Sequence, residues 1–292
     1  MPPRGRRYAR DVTAADRPLP PRVFIGTSGW NYASWRGDYY PKGLVHRREL
    51  EYLSGRLGAV ELNGSFYSLQ RPSSYARWAA EVPEGAAIAV KGPRYLTHML
   101  RLRNARTGLA NFFASGVLAL GAHLGPVLWQ LPERFAFDSD VVGEFVRMLP
   151  RSTAQAARLA AEHDAHVDGR AWLTTDVDRP LVHVFEPRHP SFDDPGFREL
   201  ITRAGAAVAV SHAGDAWPTF EPTGAVVYVR LHGAPELYAS GYDDAALGEW
   251  AARLEGWLAG AVGPRDAYVF FDNDSRGFAP HDAERLRALL GR

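Results

Sequence analysis

Polar and apolar residues alternate through Tyr228-Val229-Arg230-Leu231-His232-Gly233, directly after the apolar run Ala225-Val226-Val227. Alternation at period two marks a strand, whose side chains point to opposite faces in turn. Val227, Val229 and Leu231 share one face, suited to packing under helices. Tyr228, Arg230 and His232 share the other, which puts two chargeable groups at the strand's C-terminal end. A strand apolar outside and polar inside at its tip is what a closed parallel barrel with a site at its mouth would produce.

The rest of the chain repeats the pattern. Strands are expected at Val23–Ser28, Ala59–Asn63, Ala87–Lys91, Pro126–Gln130, Leu181–Glu186, Ala206–His212, Ala225–His232 and Ala267–Asp272. Helical patterns lie between them. Ser73–Glu81 carries Tyr75, Trp78 and Ala79 on one stripe. Asp138–Leu149 opens on a capping Asp and shows an apolar face of Val141, Val142, Phe145 and Met148. Asp193–Ala204, Asp243–Ala261 and His281–Leu290 read the same way. Eight strands alternating with helices imply an α/β fold, a (β/α)8 TIM-type barrel in one domain spanning 23–292. A doubly wound sheet is the alternative, but Gly26-Thr27-Ser28-Gly29 lacks the Gly-x-Gly-x-x-Gly spacing. The connection Gly29 to Arg48, with Trp30, Tyr32, Trp35, Tyr39 and Tyr40, is expected to fold over the mouth.

Applied strand by strand, the alternation places a polar group at nearly every C-terminal end. Glu61 and Asn63 face inward opposite Val60 and Leu62, and Lys91 faces inward opposite Ile88 and Val90. The fourth strand ends at Gln130, and Glu186 shares a face with Arg188. The sixth ends in Val210-Ser211-His212. Asp272 and Asp274 share a face, with Val269, Phe271 and Asn273 opposite. In a barrel these ends converge on one rim. Glu186–Arg188 and Arg230–Asp272 could instead be mutually neutralising pairs that close the barrel top. Burying charge costs several kcal/mol per ion, so a rim this polar favours a ligand pocket over a plug.

Composition narrows the partners. The 292 residues are 46% hydrophobic and 23% charged with a net charge of +1, so no global field favours nucleic acid or a membrane surface. There is no cysteine, which removes disulfides, thiolate metal sites and cysteine nucleophiles. No apolar run nears the roughly 20 residues of a membrane span. Residues 1–22 are rich in Arg and Pro without the apolar segment of a signal peptide, and we expect a disordered tail on a cytoplasmic protein. Arg4, Arg6, Arg7 and Arg10 there could form a nucleic-acid arm. The cluster from His163 to Asp168 could mimic a metal site, but a solvated loop accounts for it without a third element. No cofactor is implied, and no feature sets an oligomeric state.

Seven ordered blocks resemble a known family. They are Ile25-Gly26-Thr27-Ser28-Gly29-Trp30-Asn31-Tyr32 with Trp35-Arg36-Gly37 and Tyr40-Pro41; Val60-Glu61-Leu62-Asn63-Gly64-Ser65-Phe66-Tyr67; Ala89-Val90-Lys91-Gly92-Pro93-Arg94 leading to Thr97-His98; Gly125-Pro126-Val127-Leu128-Trp129-Gln130-Leu131-Pro132; Glu186-Pro187-Arg188-His189-Pro190-Ser191-Phe192; Tyr228 to Gly233; and Phe271-Asp272-Asn273-Asp274. Together they resemble domain-of-unknown-function family 72, the YecE-like barrels. The resemblance implies a TIM-type barrel and no particular activity. The family usually has an aromatic at Pro187, a tryptophan at Phe192 and an asparagine at Asp272. Asp272 therefore weighs less than Glu61, Lys91, Glu186, Arg188, Arg230 and His232.

Three functions compete. The first is an enzyme doing acid–base chemistry on a small anionic or sugar-like substrate: a hydrolase, lyase or isomerase rather than an oxidoreductase. Lys91, Glu61, Glu186 and His232 would be catalytic. Arg188 and Arg230 would clamp a carboxylate or phosphate. Asn63, Gln130, Trp30, Tyr32, Asp272 and Asn273 would complete the substrate contacts. A retaining glycosidase needs two close carboxylates, whereas Glu61 and Glu186 are expected far apart around the rim. The second is a metal-dependent hydrolase or isomerase with Glu61, Glu186, His212 and His232 as ligands. The third is a nucleic-acid binder using Arg36, Lys42, Arg94, His98, Arg101 and Arg103 with Trp35, Tyr39, Phe66, Tyr67 and Tyr95.

Overall fold

In the computed structural model, which describes residues 21–259 and 265–291, eight parallel strands form a closed ring. They are β1 (Val23–Ser28), β2 (Gly58–Leu62), β3 (Ala87–Lys91), β4 (Leu124–Gln130), β5 (His183–Glu186), β6 (Ala207–His212), β8 (Val227–Leu231) and β9 (Ala267–Phe271). A two-residue strand, β7 (Thr223–Gly224), runs antiparallel to β6. The neighbour order β5-β4-β3-β2-β1-β9-β8-β6 is closed by pairing of β5 with β6. The TIM-type barrel expected from the alternation is the fold. Most of the expected tail, including Arg4, Arg6, Arg7 and Arg10, lies outside the described residues. Arg22, assigned to that tail, pairs with Asp266 just before β9.

The helices are α1 (Glu49–Leu57), α2 (Gly64–Tyr67), α3 (Pro72–Glu81), α4 (Arg106–Ala114), α5 (Ser139–Met148), α6 (Thr153–Ala160), α7 (Pro195–Arg203), α8 (Asp244–Leu258) and α9 (Phe278–Leu289). Asp138, Asp194 and Asp243 cap α5, α7 and α8 by accepting hydrogen bonds from first-turn amides. Among the described residues, no helix is long and apolar enough to cross a membrane.

Two apolar layers follow from the alternation. Val60, Leu62, Ile88, Val90, Val227, Val229 and Leu231 pack outward under the helices. Inside the barrel, Ala59, Ala87, Ala89, Ala207 and Ala209 on β2, β3 and β6 share one core with the bulkier Tyr228, Tyr268 and Phe270 on β8 and β9. The small side chains make room for the large ones. Asn63, His232 and Asp272, expected as terminal strand residues, lie one position past the ends of β2, β8 and β9. The amides of His232 and Asp272 still donate to the carbonyls of His212 and Leu231, so the backbone holds both tips in place.

Candidate active site

Arg230 is the centre of the barrel mouth. It follows Tyr228 on the inner face of β8 and is fully buried, with Glu61, Glu186 and His232 around it at the same depth. Its Nε donates to Glu61 Oε2 (3.0 Å) and its Nη1 to both Glu186 oxygens (3.1 Å each). Its Nη2 reaches Glu61 Oε1 (2.8 Å), Ser28 Oγ (2.9 Å) and Asp272 Oδ2 (3.0 Å). A guanidinium has five N–H donors, and these partners engage all three of its nitrogens. Arg230 therefore cannot clamp a substrate as the sequence led us to expect. It is a pillar that fixes three carboxylates.

Each carboxylate has further partners. Glu61 accepts from Ser28 Oγ (2.5 Å) and from the Tyr228 hydroxyl (2.7 Å). Glu186 accepts from Gln130 Nε2 (2.8 Å) and Ser211 Oγ (2.8 Å), and the Ser211 oxygen in turn accepts from Trp217 Nε1 (2.8 Å). His232 lies between two of them, with Nδ1 2.9 Å from Asp272 Oδ2 and Nε2 3.2 Å from Glu186 Oε1. Burial would raise the pKa of Glu186, but Arg230, Arg188 and His232 outweigh it and hold the carboxyl well below its usual range. Burial opposes ionisation of Asp272 too, yet Arg230, His232 and Lys91 keep it below an ordinary aspartate.

Above this floor stand two cations of a different kind. Lys91, at the end of β3, is 8% exposed. Gly92 sets its position: a Cβ there would lie 2.3 Å from the Trp129 ring, so only glycine lets the backbone after Lys91 lie flat on the outer layer. Lys91 Nζ sits 4.3 Å from the centre of the Phe66 ring, and among the described residues no carboxylate pairs with it. Burial first, and the positive charge of Arg230 second, bring it down to about 8 against the pull of Glu61, Glu186 and Asp272. Arg188 lies flat over Trp217, 3.8 Å from the ring centre. Its Nη2 is 3.7 Å from Glu186, too long for a hydrogen bond, and its buried Nε has no partner among the described residues. The Arg188 side chain is 11% exposed and that of Asp272 16%. His98 packs edge-on against Phe66 and is held down to about 4 by burial, Lys91, Arg188 and Arg94.

The ring thus gathers Glu61, Lys91, Gln130, Glu186, Arg188, Arg230, His232 and Asp272. Asn63 joins through its Nδ2 bond to Ser28 Oγ (2.7 Å). The expectation that Glu61 and Glu186 stand far apart is overturned: both bind one guanidinium, which fills the space a scissile bond would need. Asn273 is not at the mouth. It donates to Asp282 and to the Ser240 carbonyl, on the helix side of the strand end. His212 also faces outward, within hydrogen-bonding distance of Tyr242 OH and packed edge-on against Trp250. Glu61, Glu186, His212 and His232 accordingly do not converge as a ligand set.

The aromatic loop differs from expectation as well. Trp35, Tyr39 and Tyr40 are buried, with Tyr39 and Tyr40 packed on Tyr52 of α1 and the Tyr39 hydroxyl bonded to Glu284 of α9. Trp35 and Tyr39 are therefore not free to stack on bases. Trp30 packs edge-on against Trp78 of α3. Tyr32 alone of that loop borders the acidic side, where its hydroxyl bonds the Ser28 carbonyl (2.6 Å) near Asp274, a group raised to about 6 by burial and by Asp272. The His163–Asp168 cluster is a tied loop: Asp164 exchanges hydrogen bonds with Asn111 and caps the His166 amide.

Ser28, Ser211 and Trp217 had no assigned role, and Phe66 and His98 had one only as part of a nucleic-acid surface. The two serines were legible, being the next inward positions after Phe24 and Gly26 on β1 and after Ala207 and Ala209 on β6. The other three come from short connections after the strands, Phe66 in the four-residue α2, His98 in the turn Tyr95–Met99 and Trp217 after β6, which are too short to show periodicity.

The comparisons bear on the whole chain. The model of the family described as "Protein of unknown function DUF72" matches residues 24–292. The UPF0759 protein YunF of Bacillus subtilis (strain 168) is 23% identical over 294 residues, covering 92% of this chain and 94% of that protein. A DUF72 family protein of Thermotoga maritima MSB8 aligns with a TM-score of 0.72 at 21% identity, over 93% of this chain and all of that one. A second, from Enterococcus faecalis V583, gives 0.68 at 15%, over 92% of this chain and 96% of that one. The chain belongs to the DUF72 family.

Proposed function

We propose that this DUF72 barrel is an enzyme that binds a small anionic substrate, a carboxylate or a phosphate, at Lys91 and Arg188, and that Lys91 exchanges a proton with it. One observation carries the reading. Three carboxylates and Arg230 form a closed, hydrogen-bonded floor, while Lys91 and Arg188 stand over it without hydrogen-bonded counterions of their own. A structural plug needs only paired charge. Two cations held on the faces of Phe66 and Trp217 are poised for an anion that arrives from outside.

The division of labour follows from the geometry. Arg188 supplies a planar donor set for an oxyanion. Lys91, with a pKa of about 8, is charged at neutral pH and gives up its proton at small cost, as a general acid–base group should. Glu61 and Glu186 are positioning residues that act through Arg230. His232 links Asp272, the most exposed of the three acids, to Glu186 and offers a path for a proton across the floor.

Titration calorimetry with inorganic phosphate at pH 7 tests this. The wild-type chain should bind saturably, and Lys91→Met and Arg188→Met should each weaken binding by about tenfold or more, equivalent to about 1.4 kcal/mol. Wild-type protein that takes up no phosphate, or variants that bind it as well, would remove the reading.

A further inference from the structure

A cavity of about 660 Å³ opens beside the mouth, lined among others by Phe66, Tyr67, Arg94, Tyr95, Met99 and Arg170. That volume suits a small organic molecule. Tyr67 is 68% exposed, Met99 67% and Tyr95 49%, so three large apolar side chains face solvent within one groove. Such clustering marks a contact surface, whereas single exposed apolar residues are ordinary.

The groove and the cationic mouth share a wall. Phe66 carries Lys91 Nζ over its ring and packs edge-on against Tyr67, with ring centres 5.1 Å apart. The Arg94 guanidinium lies 5.7 Å from the Tyr67 ring centre. Lys91, Phe66, Tyr67 and Arg94 thus form one continuous run from the mouth into the cavity. The far side is preformed. Asn111 and Asp164 exchange hydrogen bonds, and Arg170 donates to the carbonyls of Gln70 and His166.

We infer that the groove is the second half of the substrate site, taking a planar aromatic ring attached to the anionic group held by Lys91 and Arg188. The inference rests on the anion reading above and narrows the substrate class to ring-bearing carboxylates or phosphates. The ring stacks on Tyr67 and Tyr95, and Arg94 closes the platform. Two aromatic contacts of this kind are worth about tenfold in affinity.

The probes are inorganic phosphate and 2-naphthyl phosphate, titrated calorimetrically into wild type, Lys91→Met and the double variant Tyr67→Ala/Tyr95→Ala. Both tyrosines are well exposed, so their removal should leave folding intact. Naphthyl phosphate should bind the wild type about tenfold more tightly than inorganic phosphate. The double variant should lose that excess while binding inorganic phosphate as the wild type does. An excess that survives in the double variant overturns the inference and leaves the anion reading standing. Naphthyl phosphate binding that needs the tyrosines but is indifferent to Lys91→Met overturns the anion reading, and with it the two-part ligand. Failure of both probes overturns both.

Discussion

Lys91→Met separates function from architecture, because the two make opposite predictions for stability. If Lys91 served to hold the barrel top together, removing it would leave buried carboxylates short of a cation and destabilise the fold. The geometry argues the reverse. Lys91 is almost entirely buried, makes no ion pair with a described carboxylate, and is brought down to about 8 by burial and Arg230. Relative to an ordinary lysine in the unfolded chain, that depression means its charged form costs about 3 kcal/mol at pH 7. Methionine has a similar length, suits the face of Phe66 and carries no charge. We therefore expect the variant to be more stable than wild type by about 1–3 kcal/mol at pH 7, or several degrees in Tm for a chain of this size. The sign also fixes the pH dependence. Between about pH 8 and the ordinary lysine value, the unfolded chain holds a proton that the native state has released, so wild-type stability gains as pH rises. The advantage of the variant should fall by about 2 kcal/mol between pH 7 and pH 9.5. Thermal melts of both proteins at pH 7 and 9.5 measure this. A Tm for Lys91→Met below that of wild type at pH 7 would refute the reasoning and make Lys91 a structural counterion.

Arg230→Met should do the opposite, stranding Glu61 and Glu186 without their shared cation and costing about 3–5 kcal/mol; denaturant titration reads it, and wild-type stability would show that the pillar is dispensable. Anion affinity should be flat below about pH 8 and fall by up to about tenfold per pH unit above it, because only protonated Lys91 attracts the anion. Sulfate is the probe of choice, since its own charge is fixed across that window, and affinity unchanged to pH 10 would show that Lys91 is not at the anion.

Much of this arrangement was legible in the residues because one rule, alternation along a strand, fixes inward and outward faces without knowledge of neighbours. It placed Glu61, Lys91, Glu186 and Arg230 correctly. It misled where a strand tip was counted instead of a face. His212 looked available because it ends β6, yet Ala207 and Ala209 are inward, so Ser211 faces the mouth and His212 turns out toward Trp250. Asn273 was assigned to the mouth although Phe271, two residues before it, packs outward. For Arg230, pairing with Asp272 was one of the two readings of the rim and is present at 3.0 Å, but its further bonds to Glu61 and Glu186 were out of reach for another reason. Which carboxylates it meets depends on ring closure through β5 and β6, a contact between segments that no local pattern encodes. The rings of the Gly29–Arg48 loop show the same limit, since their partners Tyr52 and Glu284 lie on α1 and α9, elements whose placement the loop itself cannot specify.

Charge balance at the mouth ties these points to one consequence. Glu61, Glu186 and Asp272 set against Arg230 leave two negative charges in excess, which Lys91 and Arg188 balance in formal count, although burial and Arg230 keep the charge on Lys91 unfavourable on balance. An anion bound at the two outer cations makes the site negative by one. A buried excess charge is costly, so an anion would sit outward, at Lys91 and the partly exposed Arg188, and not against the three carboxylates of the floor.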